Sequence, residues 1–261
     1  MSENTVTPIL FVEAVNSYSN FAFVIPFSNP ASRRWMHFHG VSPDICCDVW
    51  KRLDVVNTMA AEGINGAQPK HLMWALYFLK VYGKEEDNAN YAGGIDEQTF
   101  RKWTHIFVEA ISFLESSVIL WDARIIGESG SLVTIDGTDM PVALGFNKAF
   151  FGAKFNHSGL KYEVGICIAT GYIVWINGPF RCGENDINIS RTALIGALDR
   201  DEAAVADEGY RGEPHHIRTP QTGSQNEKAM QDVARARHET VNSRLKDFDI
   251  LGAQYFRHDS I

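Results

Sequence analysis

The apolar positions of this chain change period once. Up to about residue 120 they recur at helical spacing, and beyond Gly130 they gather in short, β-prone runs. Ser42-Pro43-Asp44 offers an N-cap with proline at the first helical position, and Val49, Trp50, Leu53 and Val56 follow on one face. Leu72, Met73, Leu76, Phe78 and Leu79 predict a second helix over 69–81, closed by Gly83. A short helix is expected over 85–91 and a sharp turn at Gly93-Gly94. Ile95 to Trp103 then opens a long amphipathic helix running towards Leu120. Residues 1–34 carry no clear period, and Pro26, Pro30 and several serines suggest a loosely attached arm. The expected organisation is an arm over 1–41 and a helical region over 42–125.

The second half reads as sheet and helix. A strand over 131–135 ends at Asp136, and strands over 162–169 and 172–177 flank the compact connection Thr170-Gly171. A helix follows over 187–198, a buried strand over 203–206 and a long terminal helix over 225–248. This pattern predicts an α/β fold for 130–261, a mixed sheet covered by helices.

Bulk properties narrow the class. With 261 residues, 45% hydrophobic and 21% charged, the chain is of ordinary globular composition. Cys46, Cys47, Cys167 and Cys182 form neither a CxxC pair nor a disulfide framework, so reduced thiols in an intracellular protein are expected. A basic segment is missing ahead of Pro8-Ile9-Leu10-Phe11-Val12, which argues against a signal peptide. The richest apolar run, 106–121, is broken by Glu109 and Glu115, which argues for a soluble protein with no membrane partner. A net charge of −8 weighs against tight autonomous DNA binding, because phosphate affinity is largely electrostatic. It leaves room for a local basic face.

Candidate chemistry sits in two stretches, Val133-Thr134-Ile135-Asp136-Gly137-Thr138-Asp139 and Ala204-Val205-Ala206-Asp207-Glu208-Gly209-Tyr210. A strand that delivers a carboxylate to its tip is a common way to hold a hard divalent cation. Asp-Gly is equally a tight-turn signal. Glu239 follows on a basic helical segment with Arg235, Asn242, Ser243, Arg244 and Lys246 near it, where a solvated face of ion pairs is the alternative. Asp139, Asp186 and Glu208 are spare carboxylates, and in extended chain Glu208 points away from Asp207. Around Gly93-Gly94, the two helices could form a DNA-reading helix-turn-helix with Gln98, Thr99, Arg101 and Lys102 exposed, or simply a packed helical subdomain. His37 and His39 would share a face on a strand and could bind zinc. Without a partner at suitable spacing they are assigned to the surface, as are His215 and His216. Trp50, Trp74, Trp103 and Trp121 read as core.

Taken in order, Asp136-Gly137-Thr138, Gly178-Pro179-Phe180, Asp186, Ala206-Asp207-Glu208-Gly209-Tyr210 and the run from Arg237 through Glu239 to Lys246 resemble the DDE superfamily endonucleases of Harbinger-type transposases. The resemblance covers roughly Lys70 to the end of the chain. It implies a ribonuclease H-like catalytic domain in which Asp136, Asp207 and Glu239 are the catalytic residues and ligate a divalent cation, Mg²⁺ or Mn²⁺. It also implies cleavage and joining of DNA at element ends and target, an element-encoded origin and a nuclear setting. An accessory DNA-binding protein and a homo-oligomer are further partners it allows. In such families a helical segment ahead of the catalytic domain helps bind DNA, which points to Gln98, Arg101 and Lys102, with Arg235, Arg244 and Lys246 on the terminal helix. Two departures stand out. Glu208 replaces a usually small or uncharged residue, and the chain ends 22 positions after Glu239, so the catalytic domain is expected to be short at its C-terminus. The shortened end and the acidic total favour a rival reading, a decayed or domesticated transposase serving as a non-catalytic DNA- or protein-binding module, whereas the intact Asp136, Asp207 and Glu239 favour the enzyme. A metal-dependent phosphohydrolase on a similar fold is a third, which would lack the basic terminal helix.

Overall fold

A computed structural model describes residues 6–54, 64–124, 132–142, 147–152, 156–220 and 225–252. The chain forms two compact units, one of Met1–Ser116 with Asp247–Ile250 and one of Ser117–Lys246 with Leu251–Ile261. The change of period expected near Gly130 lies outside the described residues, as does Ser131.

The first unit is helical: α1 (Pro8–Asn16), α2 (Asn29–His39), α3 (Pro43–Leu53), α4 (Pro69–Val81), α5 (Glu85–Tyr91), α6 (Glu97–Ser112) and the short α7 (Glu115–Val118), whose last residues belong to the second unit. The caps explain the starts. Ser42 accepts from the Ile45 amide, and Asp96 accepts from Thr99 N at 2.9 Å. Phe100, Thr104 and Phe107 then line the buried face of α6.

The expected loose arm is a correction. Phe11, Val12, Val15, Phe23 and Trp35 sit in the same core as Trp50, Leu72 and Phe107. Pro30 opens α2 rather than breaking a helix, because a first-turn proline gives up an amide that has no helical partner. His37 and His39 both lie on α2; His37 is exposed, as expected, but His39 is not. His39 is fully buried: its Nδ1 lies 3.2 Å from the Trp35 carbonyl, and its Nε2 accepts from the Tyr91 hydroxyl at 2.9 Å. Burial pushes its pKa down to about 3, so it is a neutral core residue.

The second unit is α/β. Its sheet contains β1 (Val133–Pro141), β2 (Phe151–Gly152), β3 (His157–Cys167), β4 (Ile173–Arg181), β5 (Ala204–Val205) and β6 (Ile217–Arg218). The path runs β2-β3-β1-β5-β6, with β4 also paired to β3. β3 is antiparallel to β1 and β4, whereas β5 runs parallel to β1 and to β6. The sheet is therefore mixed. Its helices are α8 (Asp186–Thr192), α9 (Leu194–Ala197), α10 (Gln225–Lys246) and α11 (Asp249–Gly252), the last divided between the two units. The helix expected over 187–198 is broken at Ala193, whose φ of −149° leaves the helical region.

β1 decides the layering. Val133 and Ile135 face a core with Leu194, Leu198 and Tyr210, on the side covered by α8 and α9. Burying each of these large side chains contributes about 1.5–3 kcal/mol. Thr134, Asp136 and Thr138 alternate to the opposite face, where α10 packs against β1.

Candidate functional site

Asp136 does not end its strand, as the Asp-Gly signal suggested. β1 stays in register with β3 from Val133 opposite Cys167 to Pro141 opposite Gly159, passing through Asp136, Gly137 and Thr138. The glycine serves a different purpose. A Cβ on Gly137 would stand 2.9 Å from Asp186 Oδ1, closer than packed atoms tolerate.

The parallel partner brings in the second aspartate. Thr134 of β1 pairs with Val205 of β5, so Asp136 and Asp207 each lie two residues beyond one matched couple. Neighbouring strands are about 4.8 Å apart, which places both carboxylates at one end of the parallel pair. Asp207 has extended backbone and accepts from Gly209 N at 2.8 Å.

Asp186, the first residue of α8, completes this acidic group. A Cβ on Gly209 would meet Asp186 Oδ2 at 2.8 Å and Asp207 Oδ1 at 3.0 Å, so those two oxygens lie within about 6 Å of each other. Lys161 on β3 donates to Asp186 Oδ1 at 2.7 Å and stands 4.0 Å from Asp139. Burial alone would lower the Lys161 pKa, but the hydrogen bond and charge of Asp186, with Asp139, lift it above the ordinary value. Lys161 is therefore a fixed cation among acids. Asp139 itself is raised, first by burial and then by Asp186, against the lowering pull of Lys161 and Lys246.

Behind this group Glu163 is fully buried on β3. Trp175 Nε1 donates to its Oε2 at 3.0 Å, and the Ser190 hydroxyl of α8 donates to its Oε1. Burial raises its pKa despite those donors. The Tyr210 hydroxyl is buried without a hydrogen-bond partner among the described residues. Its pKa is raised well above the ordinary value, first by burial and then by the charges of Glu163, Asp186, Asp136 and Asp207. The charges of four carboxylates thus reach this buried phenol.

The residue that α10 offers to Asp136 is Asn242. Its Nδ2 donates to Asp136 Oδ2 at 3.1 Å, and its Oδ1 accepts from the Thr138 hydroxyl. One turn earlier His238 is buried at the level of Thr134, and burial pushes its pKa down to about 4. Glu239 follows it and is exposed. At about 100° per residue it is turned some 60° from Asn242 on the helix. Rising about 1.5 Å per residue from His238, Glu239 thus stands nearer the level of Thr134 than of Asp136, and it faces solvent. Among the described residues, no three of the acids, histidines and cysteines are grouped closely enough to hold a metal ion.

The expected DNA contacts are distributed as follows. Gln98, Arg101 and Lys102 are exposed on one face of α6, but Arg101 is paired with Glu85 of α5. Arg235 and Arg244 are exposed, whereas Lys246 is half-buried, with its charge felt by Asp139. Trp50 and Trp74 are buried and Trp103 and Trp121 half-buried, and all four cysteines are free and buried. No helix among the described residues is long and apolar enough to cross a membrane.

The sequence offered Asp186 only as a spare carboxylate and Tyr210 and Asn242 only as neighbours of the candidate acids, and it gave no signal for Lys161. The available signal was the glycine beside or near each candidate aspartate, which here makes room for a third carboxylate rather than for a turn. No protein-family model, curated protein or solved structure matches this chain.

Proposed function

We propose that this chain is a transposase-derived, divalent-metal-dependent DNA endonuclease and strand transferase of the Harbinger DDE type, with a ribonuclease H-like second unit. The observation that carries this reading is the register of β1 and β5, which sets Asp136 and Asp207 side by side at one end of a parallel pair. The mixed sheet with helices on both faces is compatible with that fold. Hard carboxylate oxygens are the donors that Mg²⁺ and Mn²⁺ take, and the orphaned Tyr210 hydroxyl among them suits a polar, charged site. Asp136 and Asp207 would hold the cation, with Glu239 joining by a change of rotamer or a small turn of α10. A cation bound there would lower the pKa of an attacking water or 3′-hydroxyl and stabilise the leaving oxygen. Asn242 orients Asp136, and Lys161 offsets the negative charge of the cluster. The exposed Arg235 and Arg244, with Gln98, Arg101 and Lys102 in the helical unit, would meet the phosphate backbone of element ends and target.

One observation favours the rival reading. Glu239 is exposed and outside any three-ligand group, and Asp136 is engaged by Asn242, as in a decayed copy that binds DNA or protein without cutting. Nicking assays on DNA carrying the flanking element ends, with Mg²⁺ or Mn²⁺, separate the two. The enzyme reading expects metal-dependent nicking that Asp136→Asn, Asp207→Asn and Glu239→Gln abolish, with DNA binding kept. Binding without nicking at any metal concentration would leave only the module.

A further inference from the structure

Asp186 touches the backbone neighbourhood of both candidate ligands at once. Its Oδ1 faces the position that a Gly137 Cβ would take, at 2.9 Å, and its Oδ2 faces that of Gly209, at 2.8 Å. Gly137 directly follows Asp136, and Gly209 is two residues past Asp207. A single carboxylate therefore lies between the strand that carries one acid and the turn that carries the other. Neither glycine has a positive φ, so the backbone does not demand glycine at either place. The demand comes from space.

The carboxylate is also held from behind. Lys161 Nζ donates to Asp186 Oδ1 at 2.7 Å and to the Glu184 carbonyl at 3.0 Å, and it is 4.0 Å from Asp139. The Lys161 side chain is only 12% exposed, against 27% for Asp186. This ion pair is shielded more than a surface pair and is fixed by a second hydrogen bond. Below it, Ser190 ties α8 to Glu163 of β3, which sets the level at which Asp186 enters.

We propose that Asp186, clamped by Lys161, is a positioning residue: a carboxylate wedge that fixes the spacing of Asp136 and Asp207 and requires glycine at 137 and 209. The proposal rests on the nuclease reading given above. It adds that the two aspartates are set by a third acid that need not touch the cation or the DNA. Removing the wedge lets the turn at Asp207 relax towards β1. Crowding it with a methyl group at either glycine displaces Asp186 and, with it, the matching aspartate.

A double-mutant cycle on the full chain tests this. Mn²⁺-dependent nicking and Mn²⁺ affinity by calorimetry are measured for wild type, Gly137→Ala, Asp186→Ala, the double variant Gly137→Ala/Asp186→Ala, and Lys161→Met, at a temperature where circular dichroism shows all to be folded. The wedge predicts that Gly137→Ala lowers kcat at least tenfold, with KM for DNA within twofold. It further predicts that the double variant is no worse than Asp186→Ala alone, because the clash has gone, and that Lys161→Met weakens Mn²⁺ binding. Additive losses in the double variant, or wild-type kcat in Asp186→Ala, would overturn the wedge while leaving the nuclease reading intact. Failure of wild type to nick DNA or bind Mn²⁺ would overturn both.

Discussion

Replacing Asn242 measures how firmly α10 holds the candidate acid on β1. Asn242 donates to Asp136 at 3.1 Å and accepts from Thr138, whose hydroxyl is buried. A hydrogen bond to a charged acceptor contributes about 1.5–3 kcal/mol, and a buried hydroxyl left without an acceptor costs about 1–3 kcal/mol. Both aspartate and asparagine are half-buried, which puts both contributions near their lower ends, and alanine regains about 0.6 kcal/mol of helix propensity. Asn242→Ala should therefore destabilise the second unit by about 2 kcal/mol. Native-state hydrogen exchange at the β1 amides reads that unit alone and should quicken by about 30-fold. Asn242→Asp should be worse at neutral pH, because two like charges 3.1 Å apart repel by about 5 kcal/mol at an effective dielectric of 20, before solvent screening. That excess should shrink as pH falls and the pair takes up a proton. Exchange in Asn242→Ala no faster than in Arg235→Ala, an exposed control on the same helix, would show that the contact does not hold α10.

Three further outcomes follow from the same geometry. Glu163 has a folded pKa raised above its ordinary 4.5, so its contribution is full below that pH and is lost as pH rises through the raised value. Glu163→Gln should flatten this decline in thermal melts of the second unit. His238 shifts the other way, from 6.5 to about 4, so stability present above 6.5 is lost as pH falls through 4, about 3 kcal/mol in all. His238→Met should remove that acid sensitivity, read by urea unfolding at pH 7 and pH 4. In the helical unit, Arg101→Ala with Lys102→Ala should weaken binding to all DNA sequences and flatten its salt dependence, with Lys102 the larger contributor because Arg101 is shared with Glu85. Filter binding across a salt series checks this, and an unchanged slope would place DNA elsewhere.

Much of the helical half was legible because its signals are local. Proline at the first helical position and a serine or aspartate cap fix α3 and α6 within a few residues, whatever they pack against. The same signals are present at Ser28 and Pro30, but without a clear apolar period they suggest a loose arm, and the core contacts of Trp35 are invisible in a short window. The mixed sheet was legible from the strand-like runs, whereas the length of β1 was not. Its continuation through Asp136-Gly137 depends on β3 pairing alongside and on Asp186 filling the space that a side chain would need. Asp136 and Asp207 stood out as a pair in sequence, and their adjacency follows from one parallel couple. Asn242 did not stand out, since which face of α10 meets β1 is decided by His238 and Ala234 in the core, not by the charges that dominate the helix.

The most direct measurement is Mn²⁺ titration of the folded chain by calorimetry, repeated for Asp136→Asn, Asp207→Asn and the distant control Asp122→Asn. If the two aspartates share one cation, wild type and Asp122→Asn bind Mn²⁺ alike, and either site variant loses at least tenfold in affinity. Equal binding by all four chains, or binding by none, would contradict a metal centre at the end of β1 and β5.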